Sequence, residues 1–308
     1  MASSFFSYAD EQDPLFERIV INRIETLLGR RQVENIYNRW VAEVSGSGDH
    51  EAGRLLAMSG IDVSIQGHWP LENIPDGPIL MVANHPFGFS DGIAMASIAE
   101  RLGRPYKVIV NERMTRVPEF RPHNLPISFE KTREAIEMNM ATRVAAIKLL
   151  RDGGTVGIFP GGSVATAPRG FGLAEELDWK MFMPKLALMG QANVLPIYFE
   201  GQNSLLFQLV SRFSLTARRA LLICEFVRQR GRPIVARTGP LIPWREIAEI
   251  GDRKLLSDRV RSAVFAMCAD DPRRARPAAM RSKQHHPLWQ EDSAMMSDTI
   301  RTLRERSA

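Results

Sequence analysis

An α/β fold, a sheet sandwiched by helices and parallel over at least part of its width, is predicted by three features of this 308-residue chain. Short apolar runs of strand length alternate with longer segments of helical periodicity from about residue 60 to Thr238, the order that a helix-covered, partly parallel sheet requires. Three of those runs, ending at Ala83, Phe159 and Phe199, break into loops rich in Pro or Gly, as buried strands do where they reach a rim. With 44% apolar and 24% charged residues, the chain can bury a substantial core as one large or two small domains.

The elements follow in order. Leu15, Phe16, Ile19, Val20, Ile24, Leu27 and Leu28 share one stripe of residues 13–28, which predicts an amphipathic helix whose stripe packs on the chain or lies in a bilayer interface. A second helix covers Gln32 to Val44, a Ser/Gly break spans residues 45–49, and a third helix covers Glu51 to Ser59. Ile61, Val63 and Ile65 then alternate with polar residues, a strand pattern. We place the start of the main domain near Gly60, giving an N-terminal helical, membrane-proximal segment over 1–59, a domain over 60–270 and a basic tail over 271–308. Within the domain come a strand (Ile79 to Ala83), a helix (Gly92 to Leu102), a strand (Val108 to Val110), an irregular Arg/Pro-rich stretch, a strand (Pro126 to Phe129) and a long helix (Thr132 to Arg151). Strands over Thr155 to Phe159 and Asn193 to Phe199 follow, and a helix opens at Asn203.

The charge balance, 40 Lys+Arg against 35 Asp+Glu, is uneven along the chain. Residues 272–308 hold eight basic and four acidic side chains, so most of the excess sits in the tail and a nucleic-acid groove elsewhere is disfavoured. The tail reads as a flexible basic extension, solvated or tethered to anionic lipid, with a short helix from Ser297 to Arg306. Cys224 and Cys268 lie among hydrophobes without metal-ligand spacing, which predicts packed thiols in a reducing compartment. The first residues lack the pattern of a secretory leader, and no run reaches eighteen consecutive apolar residues. These features predict a cytoplasmic protein that touches the inner face of a membrane peripherally.

The chemistry concentrates in the loop Asn84-His85-Pro86-Phe87-Gly88-Phe89-Ser90-Asp91-Gly92. A strand delivers a histidine to the surface, and a carboxylate six residues on can hold its tautomer, a layout for proton transfer near neutral pH. Asp91 also suits a plain helix N-cap for the segment beginning at Gly92. Downstream stand Phe159-Pro160-Gly161-Gly162-Ser163 and Phe199-Glu200-Gly201-Gln202-Asn203-Ser204.

These three segments resemble the glycerolipid acyltransferases, the glycerophosphate and lysophospholipid acyltransferase superfamily, whose hallmark is a His and an Asp separated by four residues. Here the separation is five, as is usual in a bacterial, hemolysin-like branch that the wording of all three motifs resembles. The resemblance runs from about Ile61 to Leu241. It implies a glycerophosphate acyltransferase-like domain, a thioester of acyl carrier protein or coenzyme A as co-substrate, no other cofactor and no metal. The acceptor it implies is a lysolipid hydroxyl or an amine, reached at a membrane surface.

Within that resemblance His85 is the general base and Asp91 its orienting carboxylate. Gly161 and Gly162 let backbone N–H groups approach a phosphate or oxyanion, or simply form a tight turn, and Ser163 offers a hydroxyl to the acceptor. The glutamate that the superfamily carries in this loop is absent, with Gly161 and Ser163 in its two usual positions. Arg113, Arg116 and Arg121 are candidates for gripping an acceptor phosphate through guanidinium forks, Arg116 being preferred. Glu200 either orients the acceptor or pairs with a nearby arginine. The cluster from Trp179 to Pro184 lines an acyl channel or packs in the core. Two alternatives share the fold: an inactive acyl-binding or regulatory protein, and a thioester hydrolase in which water replaces the acceptor.

Overall fold

The computed structural model describes residues 14–27, 29–69 and 76–270. Its strands are β1 (Val63–Gly67), β2 (Ile79–Ala83), β3 (Tyr106–Asn111), β4 (Asn124–Ile127), β5 (Thr155–Ile158), β6 (Asn193–Phe199) and β7 (Ile234–Thr238). They form one seven-stranded sheet in the order β1-β7-β6-β2-β5-β3-β4. The five strands from β6 to β4 are mutually parallel, whereas β7 runs antiparallel to β6 and carries β1 parallel to itself. The C-terminal ends of β2, β3, β4, β5 and β6 therefore share one rim.

The ten helices are α1 (Leu15–Leu27), α2 (Arg30–Glu43), α3 (Glu51–Met58), α4 (Phe89–Glu100), α5 (Arg133–Arg151), α6 (Phe182–Gly190), α7 (Leu205–Val210), α8 (Leu215–Gln229), α9 (Trp244–Glu249) and α10 (Arg253–Ala266) among the described residues. All five residues of β2 are buried, and their period of two divides the core. Ile79, Met81 and Ala83 pack with Trp40 of α2, Leu56 of α3, Met95 of α4 and Phe226 of α8. Leu80 and Val82 face the other way, towards Leu150 of α5, Met183 of α6 and Val260 of α10. The expected sandwich is thus present, with helices on both faces.

The structure adds detail to several expectations. The helices before residue 60 do not stand apart, because Val33, Tyr37, Trp40, Leu55 and Leu56 belong to the same buried cluster as β2. Trp40 Nε1 also donates to the Glu51 carbonyl at 2.9 Å, tying α2 to α3. The stripe read on α1 does not pack as a unit: the helix lies along α8 with Ile21 and Glu25 buried, while Leu15, Phe16 and Ile19 are exposed. Leu28 and the side chains of Val20, Ile24 and Leu27 lie outside the described residues, as do the tail over 271–308 and its expected helix. The Arg/Pro-rich stretch forms two 3-10 turns, Glu112–Arg116 and Pro118–His123. The Trp179–Pro184 cluster is core, with Trp179 and Met183 buried under the sheet. Cys224 is buried in α8, and burial, reinforced by the Glu225 charge, pushes its thiol up to about 11.

Candidate active site

At the end of β2 the chain enters the turn that carries His85 and Asp91. Gly88 makes the turn possible: its φ is 94°, and a Cβ there would come within 2.9 Å of Leu222 and 3.0 Å of Val164. Helix α4 begins at Phe89 rather than Gly92, so Asp91 sits in the first turn instead of at the N-cap. Its two oxygens have different neighbours. Oδ2 accepts the Phe87 N–H at 2.8 Å, a reach back over the start of the helix, and Oδ1 lies 3.1 Å from His85 Nδ1. That second contact is at ion-pair distance without being aligned as a hydrogen bond, and neither atom has another hydrogen-bond partner among the described residues. The carboxylate is fully buried, the imidazole 17% exposed.

The rest of the turn is fastened atom by atom. Asn84 Nδ2 donates to the Phe199 carbonyl at 2.9 Å while its Oδ1 accepts the Phe199 N–H at 2.6 Å, joining the ends of β2 and β6. The Ala165 N–H donates to the His85 carbonyl at 2.8 Å, and Asn203 Nδ2 donates to the Phe87 carbonyl at 3.2 Å. The His85 ring stacks on Phe159, with centroids 4.2 Å apart and planes at 27°. Motifs far apart in sequence thus converge on one histidine.

One residue of the site escaped the sequence reading. Glu176 accepts the His85 N–H through Oε1 and the Trp179 Nε1–H, at 2.8 Å, through Oε2. A Cβ on Gly161 would lie 3.5 Å from the Glu176 carboxylate. A carboxylate from further along the chain thus returns to the Gly161-Gly162-Ser163 loop. Burial raises the Glu176 carboxyl above the usual carboxylate range, against the opposing pull of the Trp179 and His85 donors. No periodicity marks this return, because the intervening loop has none.

The loop itself is a tight turn. Gly162 has φ 68°, and its N–H is spent on the Phe159 carbonyl at 3.0 Å, which leaves it no donor for the expected anion cradle. Ser163 Oγ accepts from Arg218 Nη2 at 2.9 Å, and the same nitrogen reaches the Val164 carbonyl at 2.7 Å. Arg218 is buried, and desolvation, with help from the Arg219 charge, lowers its guanidinium to about 10. Glu200 is drawn into an ion pair with Arg237 of β7, the arginine pairing that the sequence offered as one of its two readings. Arg113 and Arg116 lie on the 3-10 turn that follows the end of β3 on the His85 rim, whereas Arg121 lies on the second 3-10 turn, which runs back to the start of β4. Arg121 Nε donates to the Thr115 carbonyl at 2.7 Å, which ties it to its own segment.

Comparisons with known proteins identify what the chain is similar to. Over 196 residues the chain is 26% identical to a lyso-glycine lipid O-acyltransferase of Phocaeicola vulgatus, covering 59% of this chain and 65% of the relative. A protein of the same description from Bacteroides thetaiotaomicron is 24% identical over 188 residues, covering 57% of this chain and 65% of the relative. The chain thus spans just under two thirds of the length of the curated relatives it matches. Among solved structures, the crystal structure of the 1-acyl-sn-glycerophosphate acyltransferase PlsC from Thermotoga maritima superposes with a TM-score of 0.46 at 16% identity, covering 86% of this chain and 99% of that one. The family described as acyltransferase matches residues 56–229, more than half of the sequence and every residue placed around His85, and the chain belongs to that family.

Proposed function

We propose that this protein transfers a fatty acyl group from an acyl carrier protein or coenzyme A thioester to the hydroxyl of a lysolipid, working at the inner face of a membrane. The observation that carries the reading is His85 Nδ1 standing 3.1 Å from the buried Asp91 carboxylate on the rim of the sheet. With Nδ1–H turned to Asp91, Nε2 is the nitrogen left to exchange a proton with the acceptor. As the acceptor oxygen attacks the thioester carbonyl, its proton passes to Nε2 and Asp91 stabilises the imidazolium. Collapse of the tetrahedral adduct breaks the C–S bond, and the departing sulfur takes that proton to leave as a thiol. No acyl-enzyme forms, because the substrate supplies the nucleophile. Substrate binding straightens the His85–Asp91 contact, as catalytic hydrogen bonds commonly tighten in the productive complex.

The curated relatives favour an oxygen acceptor over the amine alternative, since both are described as O-acyltransferases of lyso-glycine lipid. Purified protein given labelled acyl thioester with and without lysolipid tests the proposal. Labelled diacyl lipid that appears with lysolipid alone supports it. Free fatty acid in both reactions would make the protein a thioesterase, and no turnover would make it an acyl-binding protein.

A further inference from the structure

Helix α7 is built inside out relative to the helices on the sheet. Ser204 caps it, with Oγ accepting the Phe207 N–H at 3.3 Å, and Phe207 and Gln208 fill its inner side. Its outer side carries Leu205, Leu206 and Leu209 at helical spacing, and Phe213 follows one turn later. Next to this stripe lies the loop at Gly170, where a Cβ would come within 3.1 Å of both Leu209 and Arg212. That loop presents Phe171. These five apolar side chains are 40 to 82% exposed, a contiguous patch of the kind that marks an interaction surface.

Its charge differs from that of the chain as a whole. Residues 163–174 and 201–224 contain Arg169, Arg212, Arg218 and Arg219 and no Asp or Glu, although the full sequence is nearly balanced at 40 basic to 35 acidic residues. Arg169 and Arg212 are exposed beside the apolar patch. The patch is also anchored to the catalytic turn: Asn203 holds the Phe87 carbonyl, Gln208 Oε1 accepts the Ala167 N–H at 2.7 Å, and the Ala165 N–H holds the His85 carbonyl. Helix α1 extends the surface. Gly29 meets Val227, and the Glu25 charge acts on Cys224, so α1 runs parallel to α8, which brings its exposed Leu15 and Phe16 to the same end of α8 as Phe213.

We infer that the outer face of α7, the turn at Phe213 and the 169–172 loop form the surface by which this protein docks on an anionic phospholipid bilayer, setting the His85 rim against the lipid that supplies its acceptor. The inference rests on the lysolipid reading above. Exposed Leu and Phe outnumber the exposed arginines five to two, the balance of a surface that inserts between headgroups, with charge assisting, rather than one that pairs with an acidic protein face.

The test is cosedimentation with phosphatidylcholine vesicles, with and without about a third of phosphatidylglycerol, combined with transfer to a lysolipid held in those vesicles and to a short-chain, monomeric lysolipid. The double variant Leu206→Glu/Phe213→Glu should bind vesicles at least about tenfold more weakly and lose vesicle-borne transfer in proportion. Transfer to the monomeric acceptor should stay within about twofold, which also reports that the variant is folded. Arg169→Ala/Arg212→Ala should lose the preference for phosphatidylglycerol. Unchanged vesicle binding in both variants overturns the inference. So does unchanged vesicle binding with a raised KM for acyl carrier protein, which would assign the surface to the protein donor. Equal loss on both acceptors overturns it as well. If the unmodified protein acylates neither acceptor, the functional reading fails while vesicle binding still decides the docking surface.

Discussion

The turn after β2 and the segment after β3 both begin on one rim, and each was read from the sequence as functional, yet they are built on different terms. In the first, the His85 N–H and carbonyl, the Phe87 N–H and carbonyl and both ends of the Asn84 amide are all bonded to residues outside the immediate turn or to Asp91. In the second, the Arg113 N–H bonds Asn111, Thr115 Oγ1 bonds the Glu112 carbonyl and Arg121 bonds Thr115, all within ten residues of sequence. Links from this segment to the body include Tyr37 to Glu119 and Lys107 to the Pro122 carbonyl. Proton transfer tolerates little displacement, so the base proposed at His85 needs a frame fixed from several directions. Gripping an anion with long guanidinium side chains does not.

Removing the proposed base tests that difference most severely. His85→Ala should lower kcat by at least about a hundredfold with the melting temperature little changed, since a positioned general base contributes roughly 10²- to 10⁴-fold. Asp91→Asn should cost a comparable factor, because an amide can turn its N–H₂ towards the ring and select the wrong tautomer. It should also destabilise the protein by about 1 kcal/mol through the weakened bond to the Phe87 N–H. A variant at Asp91 that lost stability and kept its rate would reduce the residue to a helix-start device.

The frame can be loosened without touching the base. Asn84→Ala leaves the buried Phe199 N–H and carbonyl without their partner and should cost about 2 to 4 kcal/mol in denaturant unfolding. Glu176→Gln retains an acceptor for one donor and removes the charge. Because burial raises the Glu176 carboxyl, the folded state keeps its proton in the window just above the ordinary carboxylate range, where the unfolded chain has lost it. Stability then falls as pH rises through that window. In Glu176→Gln this part of the slope should disappear, and unfolding curves that remain parallel to wild type across those pH values would show that Glu176 is not desolvated. Its kcat should drop roughly tenfold if the His85 backbone shifts.

The strands and the main helices could be read from residue patterns because burial imposes period two on β2 and helical spacing on α2 and α5. Thr132 marked the start of α5 within one residue, where its hydroxyl accepts the Ala135 N–H at 3.1 Å. The site was readable as far as contiguous motifs carried it. Asn84 and Asn203 were in view as motif letters, but their bonds span 115 and 116 residues, and nothing local encodes such a partner. Glu176 lies in a segment whose path is set by two bridging bonds between Thr166 and Glu175 and by the donors of Trp179 and His85. For Glu200 the sequence offered an arginine partner without naming it, and the antiparallel β7, whose direction the alternation of elements did not reveal, supplies Arg237.

If the segment after β3 serves recognition, damage there should separate binding from turnover and from folding. Arg116→Ala should raise the KM for the lysolipid several-fold, leave the KM for the thioester nearly unchanged and keep kcat within about twofold, the pattern of lost ground-state binding. Arg121→Ala should be milder still, its Nε being already committed to the Thr115 carbonyl. The comparison sharpens if Arg113→Ala behaves like Arg116→Ala, since two guanidinium groups on one 3-10 turn could share an anion bidentately. It breaks if any of the three lowers kcat as His85→Ala does, for then the segment after β3 would be positioning the reacting atoms, and the local bonds that hold it would have to be as rigid as the distant ones that hold the turn after β2.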